Sequence, residues 1–149
     1  METRWRQLGD DLGPAKVVLI RNPEVGLQGM VVVDNVACGP AIGGIRMALD
    51  VTVSEVARLA RAMTFKNAAA GLAHGGGKGG IIADPQMNPS LKERVIRSFG
   101  RAIKNLLEYI PGPERALPCR DSARSARMLH DFLPSGEQFW LRRRIAVVP

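Results

Sequence analysis

Residues 63–85, MTFKNAAAGLAHGGGKGGIIADP, are the most unusual stretch of this 149-residue chain. They place two lysines, Lys66 and Lys78, on either side of a run of small residues. Five of the six residues at 75–80 lack a Cβ, which predicts a sharp turn with positive φ angles that a ligand can approach closely. The apolar run that follows, closed by Asp84-Pro85, predicts a short buried strand that anchors this turn.

Lys78 is the only residue with a side chain inside the glycine-rich segment. Desolvation and a neighbouring ammonium both disfavour the protonated form of a lysine, so Lys78 is a candidate to exchange a proton near neutral pH. The same residues also fit a flexible loop that carries a solvated lysine. The predicted buried strand favours the first interpretation, because it would hold the segment in place.

The glycines at positions 75, 77 and 80 also satisfy the G-x-G-x-x-G pattern of dinucleotide-binding domains. That fingerprint follows a strand and opens a helix, whereas these glycines follow a predicted helix and precede a predicted strand. A phosphate-binding P-loop is excluded too, because Gly79 rather than Ser or Thr follows Lys78. The sequence therefore predicts no nucleotide-binding unit.

Composition and charge narrow the class of protein. Hydrophobic residues make up 46% and charged residues 23% of the chain, as in an ordinary globular domain. No apolar run is long enough to span a membrane, and the start lacks a signal core. Two cysteines make neither a disulfide framework nor a metal cluster, so a reduced, cytoplasmic setting is expected without a metal site.

The net charge of +7 raises the possibility of nucleic-acid binding. Up to Pro113, however, there are 14 basic and 10 acidic residues, so the body of the chain is only +4. Aromatic residues are 5% of the chain, and no basic stripe is interleaved with stacking side chains. Nucleic acid is therefore not an expected partner.

Alternating strand and helix signals outline the rest of the domain. Residues 16–21 and 29–34 predict a hairpin of apolar strands covered on both faces, and residues 43–47 predict a third strand. The spacing Thr52–Glu55 predicts a capped helix, and Ser90–Glu93 a second. The first helix would face the sheet with Val56, Leu59, Ala60 and Met63, and the second with Val95, Ile96, Phe99, Ile103, Leu106 and Leu107. A structural helix is the simplest interpretation of the second, and a partner-binding surface is the alternative.

Lys66 follows the apolar stripe of the first predicted helix and precedes three alanines. A cation at the buried end of such a stripe needs an anion to offset its desolvation. Lys66 is therefore a candidate to bind an anionic ligand, and the alternative is a surface lysine whose stem packs on apolar neighbours.

Residues 72–80 (LAHGGGKGG), closed by Asp84-Pro85, resemble the active-site signature of the glutamate/leucine/phenylalanine/valine dehydrogenase family. The resemblance extends to residues 63–67 (MTFKN), 39–47 (GPAIGGIRM) and 109–113 (YIPGP), and covers roughly residues 15–113. It implies an α/β domain with a mixed sheet covered by helices, which carries the substrate lysines and the oligomer contacts. The C-terminal Rossmann domain of the family, which binds NAD or NADP, has no counterpart in this sequence.

The resemblance also implies an activity, the reversible oxidative deamination of an L-amino acid to a 2-oxo acid. Lys66 would hold the substrate α-carboxylate, and Lys78 would activate the water that adds to the imine. Gly43, Gly44 and Met63 would line the substrate site, although Met63 equally fits core packing.

Ile42 is expected to set substrate preference. Glutamate-specific members of the family tend to have a lysine immediately before the Gly-Gly pair, where Ile42 stands here. An apolar wall would leave the second carboxylate of glutamate buried and unpaired, which favours leucine, valine or phenylalanine.

Residues 114–149 differ from the rest of the chain. They hold seven arginines and no lysine, whereas the first 113 residues hold all five lysines. Glu114 stands where the family places a proton-shuttling aspartate, and displacing a catalytic group by about 1 Å can cost ~100-fold in rate. The expected organisation is a lead at 1–14, the dehydrogenase domain at 15–113 and an arginine-rich tail, either frameshifted or divergent.

Two functions follow from the resemblance. In the first, the chain is a truncated amino-acid dehydrogenase, inactive alone because hydride transfer needs a bound cofactor, NAD or NADP, that this chain does not bind by itself. In the second, it is a non-catalytic oligomerisation module that associates with full-length subunits. Either way the expected partners are an amino acid or 2-oxo acid and further copies of the domain, and no membrane.

Overall fold

The computed structural model describes residues 8–112, which form one mixed sheet with a helix on each face. This confirms the predicted α/β class. The helices are α1 (Val53–Ala69) and α2 (Pro89–Ile103). The strands are β1 (Lys16–Asn22), β2 (Leu27–Asn35), β3 (Ala41–Gly43), β4 (Ile45–Ala48), β5 (Gly75–Ile82) and β6 (Tyr109–Pro111).

Strand β5 lies at the centre of the sheet, in the order β1-β2-β5-β3-β6, and β4 also pairs with β5. The hairpin partners β1 and β2 are antiparallel, as predicted, and β2 is antiparallel to β5. Strands β3 and β4 run parallel to β5, and β6 runs parallel to β3. The glycine-rich segment thus forms the central strand, which pairs with β2, β3 and β4.

The prediction of a glycine turn is wrong, because residues 75–80 are extended strand. None of these glycines has a positive φ; the positive values in the described chain lie at glycines 13, 26, 39 and 71. Glycine is needed at these positions because neighbouring atoms leave no room for a Cβ. A Cβ on Gly76 would lie 2.1 Å from the backbone nitrogen of Thr64, and one on Gly77 would lie 2.8 Å from the Tyr109 ring. Close packing on both faces therefore overrides the low strand propensity of glycine.

Two apolar cores fill the two faces of the sheet. One lies under α1 and contains Met30, Val32, Val51, Val56, Ala57 and Ala60. The other lies under α2 and includes Val31, Val33, Ile45, Ile81, Val95, Phe99 and Tyr109. Neighbouring residues of β2 enter opposite cores because side chains alternate along a strand. The prediction of full burial therefore holds for β2.

The same prediction is wrong for β1, which forms an edge of the sheet and is largely exposed, with Leu19 59% exposed. An edge strand is paired on one side only, so an apolar run alone does not reveal it. The predicted single strand at 43–47 is also wrong. It is two short strands, β3 and β4, that separate at Gly44.

Both helices begin close to the predicted positions. Thr52 caps α1 as expected, its side chain accepting a hydrogen bond from the backbone N–H of Glu55. The predicted cap of α2 at Ser90 is wrong, because Asn88 accepts the N–H bonds of Ser90 and Leu91. Leu107 lies beyond the end of α2 and is 66% exposed, so it is not part of the apolar face.

Candidate active site

Lys78 lies on the face of the sheet that α1 covers. Alternation along β5 puts it on the same side as Gly76 and Gly80, whose added Cβ atoms would meet Thr64 and Val56 of α1. Its side chain is buried, at 9% exposed. The structure therefore places Lys78 in an enclosed position under a helix. The alternative interpretation, a flexible loop that carries a solvated lysine, is wrong.

Ile42 shares that face with Lys78. It sits on β3 opposite Gly76 of β5 and is half-buried. Because paired residues of neighbouring strands point to the same side, Ile42 and Lys78 are close in the sheet and flank bare backbone at Gly76. The predicted apolar wall and the predicted catalytic lysine are thus brought together.

Gly43 and Gly44 are both buried at the point where β3 gives way to β4. A Cβ on Gly43 would lie 1.7 Å from the carbonyl oxygen of Gly77, so only glycine allows this approach to β5. The carbonyl of Gly44 accepts the backbone N–H of Gly79 at 3.0 Å. Both predicted substrate-site glycines therefore adjoin the segment that carries Lys78.

Tyr109, the first residue of the 109–113 motif, is buried. Its hydroxyl donates to the carbonyl oxygen of Gly43 at 2.8 Å and lies 3.3 Å from that of Gly44. On the sheet face opposite Lys78, its ring packs against the bare backbone of Gly77. A single tyrosine at the start of a short strand forms no sequence pattern, so its contacts with Gly43 and Gly77 cannot be predicted from the sequence.

Met63 and Lys66 lie on one flank of α1. The residues that point straight at the sheet are Val56, Ala57, Ala60 and Asn67, so the predicted stripe through Leu59 and Met63 is rotated, and these two are half-buried. Arg61 contacts Asp34 of β2. Met63 comes two residues after Arg61, which is about 200° around the helix axis. Met63 therefore lies on the opposite flank of α1, towards β3, and Lys66 is its neighbour on that flank.

Lys66 itself is exposed in the last turn of α1, which corrects the expectation that it lies at a buried end of the stripe. The predicted stripe is correct at Val56 and Ala60 and wrong at its end, because Asn67 and not Lys66 continues the buried side. The carboxamide of Asn67 donates to the carbonyl oxygen of Gly75 at 2.7 Å. Lys66 is therefore a solvent-exposed residue of the helix that covers the face that holds Lys78.

A charged cluster fixes the other flank of α1. Asp34 is 2% exposed and accepts hydrogen bonds from Arg61 Nε at 2.8 Å and Thr64 Oγ1 at 2.6 Å. Arg61 also donates to both carboxylate oxygens of Asp10, each at 2.7 Å. These bonds, foremost the one to Asp10, raise the pKa of Arg61, and Arg61 holds the pKa of the Asp10 carboxyl well below its usual 3.8.

The Asp10 pair predicts a dependence of stability on pH. A carboxyl whose folded-state pKa is depressed stabilises the fold above its unfolded-state pKa and loses that contribution as pH falls. We expect Asp10→Asn to lower the melting temperature at pH 7, and the gap from the parent chain to narrow below about pH 4. Thermal unfolding by circular dichroism from pH 7 to 2.5 measures this, with the exposed Asp84→Asn as control. A gap independent of pH would contradict the assignment.

Residues 8–112 contain no group of metal ligands, and the glycine fingerprint there has the wrong structural context for a nucleotide. No three His, Cys, Asp or Glu side chains there are grouped to hold a metal ion, and no helix there is long and apolar enough to cross a membrane. The G-x-G-x-x-G glycines lie in the central strand and precede no helix N-terminus, so they do not fit a dinucleotide. Glu114 lies outside the described residues.

Comparison with known proteins decides the family. Residues 14–133 match the family described as Glu/Leu/Phe/Val dehydrogenase, dimerisation domain. The chain belongs to this family. The match to the Glu/Leu/Phe/Val dehydrogenases includes the predicted 15–113 and continues for twenty residues beyond Pro113.

Leucine and valine dehydrogenases are among the similar sequences. The chain is 41% identical over 95 residues to leucine dehydrogenase of Geobacillus stearothermophilus, which covers 61% of this chain and 25% of that protein. It is 41% identical over 101 residues to valine dehydrogenase of Streptomyces virginiae, covering 65% and 28%. The chain thus spans about a quarter of the length of these curated relatives.

Solved structures of the family share the fold. The hetero-hexameric glutamate dehydrogenase of Thermus thermophilus, in its Leu-bound form, superposes with a TM-score of 0.72 at 32% identity, over 80% of this chain and 30% of that one. The L-tryptophan dehydrogenase of Nostoc punctiforme gives a TM-score of 0.71 at 23% identity, over 88% and 38%. The fold of this family member is therefore that of the amino-acid dehydrogenases.

Proposed function

We propose that this chain supplies the amino-acid site of an NAD(P)-dependent dehydrogenase that deaminates an apolar L-amino acid. The observation that carries the proposal is the buried Lys78, set on the central strand beside a half-buried Ile42 and bare glycine backbone. Burial lowers the local dielectric, so a lysine held there interacts strongly with the charge of a small ligand.

In this proposal the two lysines have different roles. Lys66, exposed on α1, binds the α-carboxylate of the amino acid, and Lys78 activates the water that adds to the imino carbon. In this proposal a different domain holds the nucleotide, because the G-x-G-x-x-G glycines here lie in the central strand and open no helix. Identity of about 40% to leucine and valine dehydrogenases supports an apolar substrate.

Calorimetric titration of the chain with L-leucine tests the amino-acid site directly, because it needs no nucleotide. L-leucine is expected to bind, whereas D-leucine and L-leucinamide bind at least about tenfold more weakly, since a charged hydrogen bond contributes about 1.5–3 kcal/mol. Equal binding of leucine and leucinamide would overturn the proposed carboxylate site.

Substrate preference is expected to follow Ile42. Ile42→Lys should raise the affinity for L-glutamate relative to L-leucine by about tenfold or more, because it pairs the second carboxylate. Leu19→Lys adds the same charge on the exposed edge strand β1 and should leave the ratio unchanged. Competition titrations with both amino acids measure the ratio. An equal change in both variants would mean that net charge, and not Ile42, sets the preference.

Association with other subunits is the second part of the proposal, supported by the description of the matched family as a dimerisation domain. We propose that the chain forms homo-oligomers. The alternative, a non-catalytic module that joins full-length dehydrogenase subunits, uses the same domain. Light scattering on the chain alone and mixed with an intact leucine dehydrogenase separates the two, since self-association favours the first and mixed complexes without amino-acid binding favour the second.

A further inference from the structure

Asp34 is a buried carboxylate that the proposed chemistry does not use. It lies at the end of β2, under α1, and is 2% exposed. Both of its side-chain partners belong to one turn of the helix, Arg61 at 2.8 Å and Thr64 at 2.6 Å. A carboxylate held by a guanidinium and a hydroxyl in this way fixes the rotation of the helix as well as its distance from the sheet.

The anchored turn is the part of α1 that bears the proposed substrate side chains. Thr64 packs directly on the bare backbone of Gly76, and Asn67 bonds the carbonyl of Gly75. Met63 and Lys66 alternate with these anchors and project from the opposite flank. Any rotation of this turn therefore moves Lys66 relative to Lys78, which is fixed in the sheet.

We propose that Asp34 is a positioning residue, which sets the reach of Lys66 to the substrate carboxylate through Arg61 and Thr64. The inference rests on the proposed function, because it needs a carboxylate bound at Lys66. Asp10 holds the outer side of Arg61 with two bonds of 2.7 Å. Loss of the Asp34 charge therefore loosens the helix turn without detaching Arg61 from the domain.

The test is the ratio of affinities for L-leucine and L-leucinamide, measured by calorimetry. Leucinamide lacks only the carboxylate charge, so this ratio reports the carboxylate contact and not general damage to the site. Asp34→Asn is expected to reduce the ratio by about tenfold or more. Ile103→Ala changes the buried last residue of α2, on the other face of the sheet, so it lowers stability and should keep the ratio.

A second pair of variants keeps the inference testable if Asp34→Asn does not fold. Thr64→Val removes the hydroxyl that donates to Asp34 and is expected to reduce the ratio, whereas Thr64→Ser keeps that hydroxyl and should restore it. A parent chain that binds leucine and leucinamide equally would overturn the proposed function. A parent chain that discriminates, with Asp34→Asn or Thr64→Val giving the same ratio, would overturn the positioning role alone.

Discussion

Gly76→Ala is expected to destabilise the domain by about 3 kcal/mol or more, at the upper end of the cost of overpacking a core. An added Cβ would lie 2.1 Å from the backbone nitrogen of Thr64, 2.2 Å from its Oγ1 and 2.5 Å from the carbonyl oxygen of Ala60. Two of these atoms are helix backbone and cannot rotate away. The whole of α1 must therefore rise from the sheet, which also breaks the Thr64 bond to Asp34.

Urea denaturation followed by circular dichroism measures this loss, with Gly112→Ala as the matched control. A Cβ at Gly112 meets its nearest atoms at 3.5 Å, which is ordinary contact, so that variant should unfold near the parent midpoint. A Gly76→Ala midpoint as high as that of Gly112→Ala would mean that α1 can adjust, and the account of why glycine occupies this strand would be wrong.

Lys78→Met is expected to weaken the binding of the 2-oxo acid of leucine by about tenfold to a hundredfold. Methionine keeps the length and apolar stem of the side chain but removes the ammonium, and hydrogen bonds to charged groups contribute about 1.5–3 kcal/mol. Because Lys78 is buried on the central strand, solvent and salt screen its charge less than that of a surface lysine. Calorimetric titration of both chains gives the ratio of dissociation constants.

Lys104→Met is the control for this experiment, because Lys104 caps the far end of α2 and is exposed. It removes the same charge away from the α1 face, and its affinity should equal that of the parent chain. Far-UV circular dichroism establishes that both variants are folded. If Lys78→Met bound the oxo acid as tightly as Lys104→Met, Lys78 would have no part in the site.

Residue patterns were sufficient for the local elements of the domain. The hairpin of β1 and β2, the cap at Thr52 and most of the apolar face of α2 followed from periodicity and capping chemistry. These features depend on residues a few positions apart, which a sequence shows directly. The motif resemblance likewise led to the family that the comparison confirmed.

Features that depend on tertiary contact were missed. The glycines at 75–80 predicted a turn because glycine tolerates any backbone angle, but here its use is the space that Thr64 and Tyr109 occupy from opposite faces. The sheet-facing side of α1 is predicted correctly at Val56 and Ala60 but not at Asn67, a polar residue that is buried with its bond to Gly75. The contacts of Asp34 could not be predicted from local spacing, since its side-chain partners Arg61 and Thr64 lie 27 and 30 residues away.

The pairing of β6 with β3 has a consequence for biosynthesis. Tyr109 aligns with Ala41, so the last strand of the described chain pairs with β3 after the other described strands have been synthesised. Until it arrives, the backbone of β3 has an open edge that can recruit a neighbouring nascent chain. Emergence of β6 therefore covers this edge of β3.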